Sequence, residues 1–483
     1  MKRAVILLLS LAATSAFAID AAEFAARRAW LAKEIGVNGM LVVFSAKPAA
    51  RNGDVEYPFR QSDDLLYLTG IAQTDTTLVM LPGESGFSEV IFARERNPQQ
   101  ELYTGRVLSN EDITKISGVK TVLGAGRFRQ FVSTALSGGA WPVPDAVERV
   151  PGRAMPAFYD AVRDGRAEVW LSLAMRNAQG DELQFADDLR KRYPEVVFRD
   201  AHPRVRAMRE VKSAAEIASI QRAVEITVAA QKAAMKRALT ATSENQIDAV
   251  VDFTFRDLGA PHWGFPSIVA AGKNATTLHY EANDAPVTRA DLVLTDLGAE
   301  IDGYSADVTR TYPASGKFSP DQRAIYEAVF AAQTAAIAAM KPGARLGDGD
   351  NAAIAVLGRE LLKLGLTTKD DPRQVFMYFR HTIGHHVGLD VHDVWDRDRR
   401  AEPGMVFAIE PGIYVRRDDV LAMPAFTKLS KEEQEKIRAA LDRYNGIGVR
   451  IEDDVMITDG APRILSIGAP RAVGEIEAWM SGR

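Results

Sequence analysis

The chain of 483 residues contains no cysteine. That absence removes disulfides, thiolate zinc sites and a cysteine nucleophile together, so any metal must be held by His, Asp and Glu. Histidine is scarce as well, with seven residues in all. No long basic run occurs and the net charge is −5. Nucleic acid is therefore not an expected partner, because phosphate binding needs a concentrated cationic face. The remaining composition, 47% hydrophobic and 25% charged, is that of a globular protein long enough for two or three domains with buried cores.

The opening "MKRAVILLLSLAATSAFAID" places Lys2 and Arg3 before an apolar run from Ala4 to about Ala13, followed by Ala16-Phe17-Ala18. This is the three-part layout of a secretory signal with cleavage after Ala18, and it predicts an exported protein, periplasmic or secreted. The run falls short of the ~20 apolar residues of a spanning helix, so no membrane association is expected once it is removed. No cysteine follows it, which excludes a lipoprotein anchor, and a chain without thiols suits an oxidising compartment.

From residue 19 to about 200, short apolar runs alternate with helical spacing. "GMLVVFSA", "TTLVMLPG", "SEVIFARE" and "AEVWLSL" read as strands, and "AAEFAARRAWLAKEIG" as a helix closed by Gly. This predicts an α/β domain over 19–200, with a Gly- and Pro-rich surface loop at 137–152. A second domain is predicted over 201–483. There Ser213…Glu216 and Ser319-Pro320…Gln322 form capping boxes that open long helices, and a third helix is expected at about 350–365. Strand-like pieces lie between and after them: "PSIVAAG", "DLVLTDLGAEIDGY", "SADVTRTYP", "MVFAIEPGIYV" and "GVRIEDDVMIT". Helices on a mostly antiparallel sheet make this half α+β.

Two features of the second half carry chemistry. "HTIGHHVGLDVHD", residues 381–393, holds four of the seven histidines. Four strand-like segments also carry a carboxylate at Asp296, Asp307, Glu410 and Glu452. Each alone reads as a salt-bridged or edge-strand group, since an ionised carboxylate in an apolar strand is costly unless it is paired or binds a metal. Together they favour a site. Asp296 and Asp307 are eleven residues apart across "LGAEIDGYSA", where a Gly-Tyr turn would fold a hairpin and aim both side chains at one point. Four carboxylates and an imidazole form a hard, oxygen-rich set suited to Mn, Co or Zn. Two such ions ~3.5–4 Å apart can hold a bridging hydroxide and polarise a carbonyl for hydrolysis.

The segments "DLGAEIDGYSADVTRTYP", "HTIGHHVGLDVHD", "EPGIY" and "GVRIEDDVMIT" resemble, in order and spacing, the pita-bread metallopeptidases, specifically the Xaa-Pro aminopeptidases and prolidases. "RNGDVEYPFRQSDDLLYLTG", residues 51–70, resembles the amino-terminal domain of aminopeptidase P. The resemblance implies a pita-bread catalytic domain behind a smaller α/β domain. It implies that Asp296, Asp307, His385, Glu410 and Glu452 hold two divalent ions, manganese foremost, with Asp307 and Glu452 bridging. Glu410 would also handle the proton of the attacking water. His279, His381 and His392 match substrate-facing histidines, and Tyr414 and Arg450 match positions lining the site. The implied substrates are peptides with proline at the second position, and a homo-oligomer is expected.

Other features read as structural. His202 and His262 match no site motif, His386 stands beside a ligand position already filled, Tyr280 reads as packing, and "KEEQEKIR" as a solvated helix face. Two departures from the family pattern stand out. Thr382 occupies a position where many members carry Gly. Some thirty residues separate Tyr414 from Gly446, where an inserted helix is expected. Prolidases, which accept dipeptides, also carry extra residues there, so prolidase is the alternative reading. A non-catalytic binding protein of the same fold is a further one, and the intact ligand set argues against it.

Overall fold

The computed structural model describes residues 19–83, 86–138, 156–173 and 181–482. The leader at 1–18 and most of the Gly/Pro-rich stretch 137–152 lie outside the described residues.

The first half is built on a six-stranded mixed sheet in the order 122–124, 86–93, 77–83, 39–44, 168–171, 197–200. The central three run antiparallel, and the outer ones join in parallel. All four strands expected from the sequence are present; the short edge strands Val122–Gly124 and Val197–Asp200 were not foreseen. Alternation along Gly39–Phe44 explains why "GMLVVF" is apolar throughout. Met40 and Val42 enter one core with Phe92, Phe131 and Leu189, while Leu41 and Val43 enter another with Phe24, Leu31 and Leu68. A strand covered on both faces has no solvent side to keep polar.

The second of these cores continues into the other half through Ile220, Tyr304, Val387 and Val406. The helix His202–Arg209 stands at the predicted junction. The capping boxes form as read. Ser213 opens Ala214–Ala238 with reciprocal bonds to Glu216, and Ser319 opens Pro320–Ala339 with Gln322. Leu346–Lys363 is the third expected helix, and Glu244–Asp257 is an additional one. These helices bury their apolar faces against short sheets whose pairings are all antiparallel. Among the described residues no helix is long and apolar enough to cross a membrane.

One local expectation differs. The tight turn between Asp296 and Asp307 is Asp302-Gly303, not Gly-Tyr: both residues have positive φ (54° and 84°) and Ile301 pairs with Tyr304. Asp-Gly in the left-handed region suits the twist of a two-residue hairpin loop. Gly298 makes the bend before it, where a Cβ would lie 2.1 Å from the Ala306 carbonyl oxygen.

Candidate metal centre

Five strand ends converge on one cavity of about 680 Å3. Leu292–Leu297 pairs with Val308–Pro313, so that Asp296 faces Thr309 and Asp307 stands just before the partner strand. Val406–Ile409 lies between Gly384–His386 and Asp453–Met456. Glu410 and Glu452 therefore project from the adjoining ends of neighbouring strands. The Glu410 N–H donates to the Ile383 carbonyl and the Glu452 N–H to the Thr309 carbonyl, which ties the two sheets together at the site. Asp296, Asp307 and Glu452 are buried.

Their donor atoms cluster. Atoms of Asp296, Asp307 and Glu452 lie within 4.8 Å of one another, as do those of His385, Glu410 and Glu452, and those of Asp307, His385 and His392. Asp307, His385 and Glu452 each belong to two groups, and of these only the two carboxylates have a second oxygen with which to bridge. His385 donates Nδ1–H to the His386 carbonyl at 3.0 Å, since a carbonyl can only accept. Its Nε2 lone pair is then turned toward Asp307 Oδ2 at 3.4 Å and Glu410 Oε1 at 3.8 Å.

The electrostatics are those of buried carboxylates crowded against one another. Burial, then Glu452 and Asp296, push the Asp307 carboxyl well above the usual range. Burial and the neighbouring Asp296 and Glu410 do the same to Glu452. Glu410 is pushed up to about 8 by burial, against the pull of Arg450. Burial and His392 lower His385 to about 4, which keeps its ring neutral. Asp296 Oδ1 and Asp307 Oδ1 are buried without a hydrogen-bond partner. Orphan carboxylate oxygens facing a neutral imidazole cost several kcal/mol unless a cation satisfies them, and two divalent ions balance four carboxylates. The residues fit such a pair.

A polar shell fixes these groups. Arg450 donates Nη2 to Asp296 Oδ2 at 2.6 Å and Nη1 to the Tyr414 hydroxyl at 3.1 Å. Thr309 donates to Glu452 Oε2 at 2.6 Å. His381 gives Nδ1–H to the Thr382 carbonyl and takes the Tyr414 hydroxyl proton at Nε2, both at 2.9 Å. With both ring nitrogens engaged, His381 is an outer group. Tyr414 is buried behind His381 and Arg450, not at the cavity wall. His279 and His392 line the wall, with the His392 ring 4.0 Å from that of His385. Thr382 lines the wall as well.

The remaining histidines sort as structural. His386 is buried between Phe407 and Trp395. His202 bonds Asp64 at 2.9 Å, and His262 is in a two-residue strand opposite Glu300. Tyr280 does more than pack: its hydroxyl donates to Glu244 at 2.8 Å.

Several supporting groups were not found from the sequence. Asp454 accepts the Asp307 N–H at 2.9 Å, and Asp453 pairs with Arg310 at 2.7 Å, both fully buried. The run Glu452-Asp453-Asp454 was the available signal. Asp393, beside His392, is gripped by Arg209 at 2.7 Å and Lys212 at 2.9 Å. Arg209 also reaches Asp64 of the amino-terminal half at 3.1 Å. From that half, Arg60 enters the cavity, pairs with Glu300 at 2.8 Å and donates to the Leu389 carbonyl.

The expected insertion is helical: Arg417–Ala422, Pro424–Thr427 and Lys431–Tyr444. It buries Val420, Phe426, Ile437 and Leu441 in the core, pairs Arg443 with Asp321 and Glu433 with Lys369, and contributes no residue to the cavity lining.

The chain is similar to known proteins over most of its length. Residues 218–459 match "Metallopeptidase family M24" and residues 24–141 match "Aminopeptidase P, N-terminal domain". The chain is 30% identical to the Xaa-Pro aminopeptidase of Escherichia coli, over 96% of this chain and 98% of that one. It is 34% identical to Xaa-Pro aminopeptidase 1 of Streptomyces coelicolor, over 96% and 87%. Among solved structures, proline aminopeptidase P II from Yersinia pestis superposes with a TM-score of 0.80 at 29% identity, covering 96% of this chain and all of that one.

Proposed function

This chain belongs to metallopeptidase family M24 and carries the aminopeptidase P amino-terminal domain, and from that premise we propose that it is a dimetal Xaa-Pro aminopeptidase, which hydrolyses the bond between an amino-terminal residue and a following proline. The observation that carries the reading is the convergence of four carboxylates and one imidazole, with two orphan carboxylate oxygens, in a substrate-sized cavity.

In the proposed assignment Asp296, Asp307, His385, Glu410 and Glu452 hold the ions, with Asp307 and Glu452 shared between them. The hard donor set favours manganese, with cobalt or zinc as alternatives. When bound, such a pair supplies Lewis acidity, activating water and polarising the scissile carbonyl. The chain does the rest. Glu410, ionised when the cations are bound, would accept the proton of the attacking water. His279 and His392 at the wall orient the amide and stabilise the charge that develops on it. Burial and the nearby Arg450 lower His381 to about 3, so it stays neutral and acts as a fixed dipole through Tyr414.

Proline suits this site because its amide nitrogen has no N–H, and carbonyl activation needs none. The insertion at 417–445 packs away from the cavity, which favours peptides of three or more residues over the dipeptide restriction of a prolidase. Export with cleavage after Ala18 and assembly into a homo-oligomer complete the proposal. Amino-terminal sequencing from the native host finds Ile19 on this view; Met1 in a cytoplasmic fraction refutes it. For the activity itself, exhaustive chelation abolishes turnover and added Mn, Co or Zn restores it. Full turnover at near-zero metal content rejects the mechanism.

A further inference from the structure

His279 reaches the cavity on a segment with little backbone support. Among the described residues, positions 278–284 make no backbone-to-backbone hydrogen bond; the ladder stops at the Thr277 N–H and resumes at Ala285. Side chains hold the segment instead, and one buried carboxylate does most of it. Glu244, the first residue of helix Glu244–Asp257, is fully buried. Its Oε1 accepts the Ala271 N–H at 2.7 Å and Asn274 Nδ2 at 3.0 Å. Its Oε2 accepts the Tyr280 hydroxyl at 2.8 Å and the Ala285 N–H at 2.9 Å. Four donors thus converge on one side chain from both ends of the segment and from the residue next to His279.

We infer that Glu244 is a positioning residue for the reaction: it sets the place of His279 at the cavity wall without touching substrate. The inference rests on the reading of His279 as a substrate-facing group. Four bonds from one anionic group, two of them to backbone N–H, constitute a stiff anchor, because hydrogen bonds to a charged acceptor are about twice as strong as neutral ones. The helix N-terminus adds a favourable field for the negative charge. Arg450 Nη2 also donates to the Leu278 carbonyl at 3.4 Å, a long bond beside His279, and a further brace lies at the far end. There Asn283, at φ 47°, donates to the Ser267 carbonyl at 2.7 Å and accepts the Val269 N–H at 2.9 Å. It fixes where the segment returns to the sheet, and not where His279 stands. A misplacement of about 1 Å at a group that orients the scissile amide is enough to cost about 100-fold in rate.

Glu244→Gln is the sharpest change. It keeps the volume but turns an NH2 group against two of the four donors. The test is a double-mutant cycle on the metal-loaded enzyme with an Xaa-Pro-Yaa peptide, comparing wild type, Glu244→Gln, His279→Ala and the double variant. Metal content is measured in each. If Glu244 acts through His279, Glu244→Gln lowers kcat by about 10- to 100-fold with a smaller change in KM. Metal content stays at the wild-type level, and in the His279→Ala background the same substitution has almost no further effect. Independent, multiplying losses overturn the inference, as does loss of metal. Should Glu244→Gln fail to fold by circular dichroism, Tyr280→Phe removes one of the four bonds and is put through the same cycle. A smaller kcat loss that vanishes without His279 supports the inference, and a loss that persists rejects it. If His279→Ala alone leaves kcat intact, the reading of His279 itself is wrong and the inference falls with it.

Discussion

Arg450 and Asp296 face each other in the interior with Nη2 2.6 Å from Oδ2, which leaves Asp296 Oδ1 without a partner. The arginine thus occupies one oxygen of a proposed metal ligand whose carboxylate also clusters with Asp307 and Glu452. An anchoring partner of this kind typically changes metal affinity or activity by about 10–100-fold when removed. Arg450→Met therefore weakens metal binding by about that factor. Titration of apo protein with Mn, followed calorimetrically, checks it; unchanged affinity would show that Asp296 is oriented by other means.

Asp307→Ala and Glu452→Ala each remove a carboxylate shared between two donor groups. Both variants should bind less than one equivalent of metal per chain and lose activity. Elemental analysis of the purified variants measures it, and two equivalents retained in either would contradict the bridging assignment.

His392→Ala and His381→Ala lower kcat by about 100- to 1000-fold, the range for losing one group that stabilises the transition state. Metal content stays normal in both, because neither is assigned as a ligand. If His392→Ala empties the site, the grouping of Asp307, His385 and His392 is a true ligand set and the roles must be redrawn.

The four carboxylates that cluster were legible because charge inside apolar strands is visible in a linear sequence, and His385 because histidines crowd its segment. The capping boxes at Ser213 and Ser319 were legible because their partners are three residues away. What joins these pieces was not. Glu244 reads as an ordinary helix-start glutamate, yet its partners lie 27 to 41 residues on. Asp393 stands next to His392 in the sequence, but its grip by Arg209 and Lys212 spans more than 180 residues. The Asp302-Gly303 turn was misplaced by one residue because Asp as well as Gly adopts positive φ.

That grip has a measurable cost. Burial works against the Asp393 charge, but Lys212 and Arg209 hold its carboxyl well below the usual carboxylate range. Asp393→Ala leaves two buried cations without it, and breaking a buried pair this way destabilises by about 3–5 kcal/mol. Chemical denaturation of the variant checks the value, and a change below about 1 kcal/mol, the scale of an exposed pair, would contradict it.

His202 couples the halves in a pH-dependent way. Burial lowers its pKa, but the hydrogen bond and charge of Asp64 outweigh that and raise it above 6.5. A raised folded-state pKa contributes stability that is full below the unfolded value and fades as pH rises through the folded one. His202→Gln is therefore more destabilising at pH 5.5, by about 1–2 kcal/mol, than at pH 8.5. Thermal melts of both proteins at the two pH values measure the difference, and a larger effect at the higher pH would reverse the sign.

On the proposed function, this cavity cleaves an amino-terminal residue from a following proline in peptides longer than two residues. The most direct measurement is kcat/KM on a matched series: Ala-Pro, Ala-Pro-Ala, a longer Ala-Pro peptide, and Ala-Ala-Ala. The first alanine is released efficiently from both longer proline peptides, and Ala-Ala-Ala is cleaved little. Turnover of Ala-Pro alone would make the protein a prolidase and contradict it.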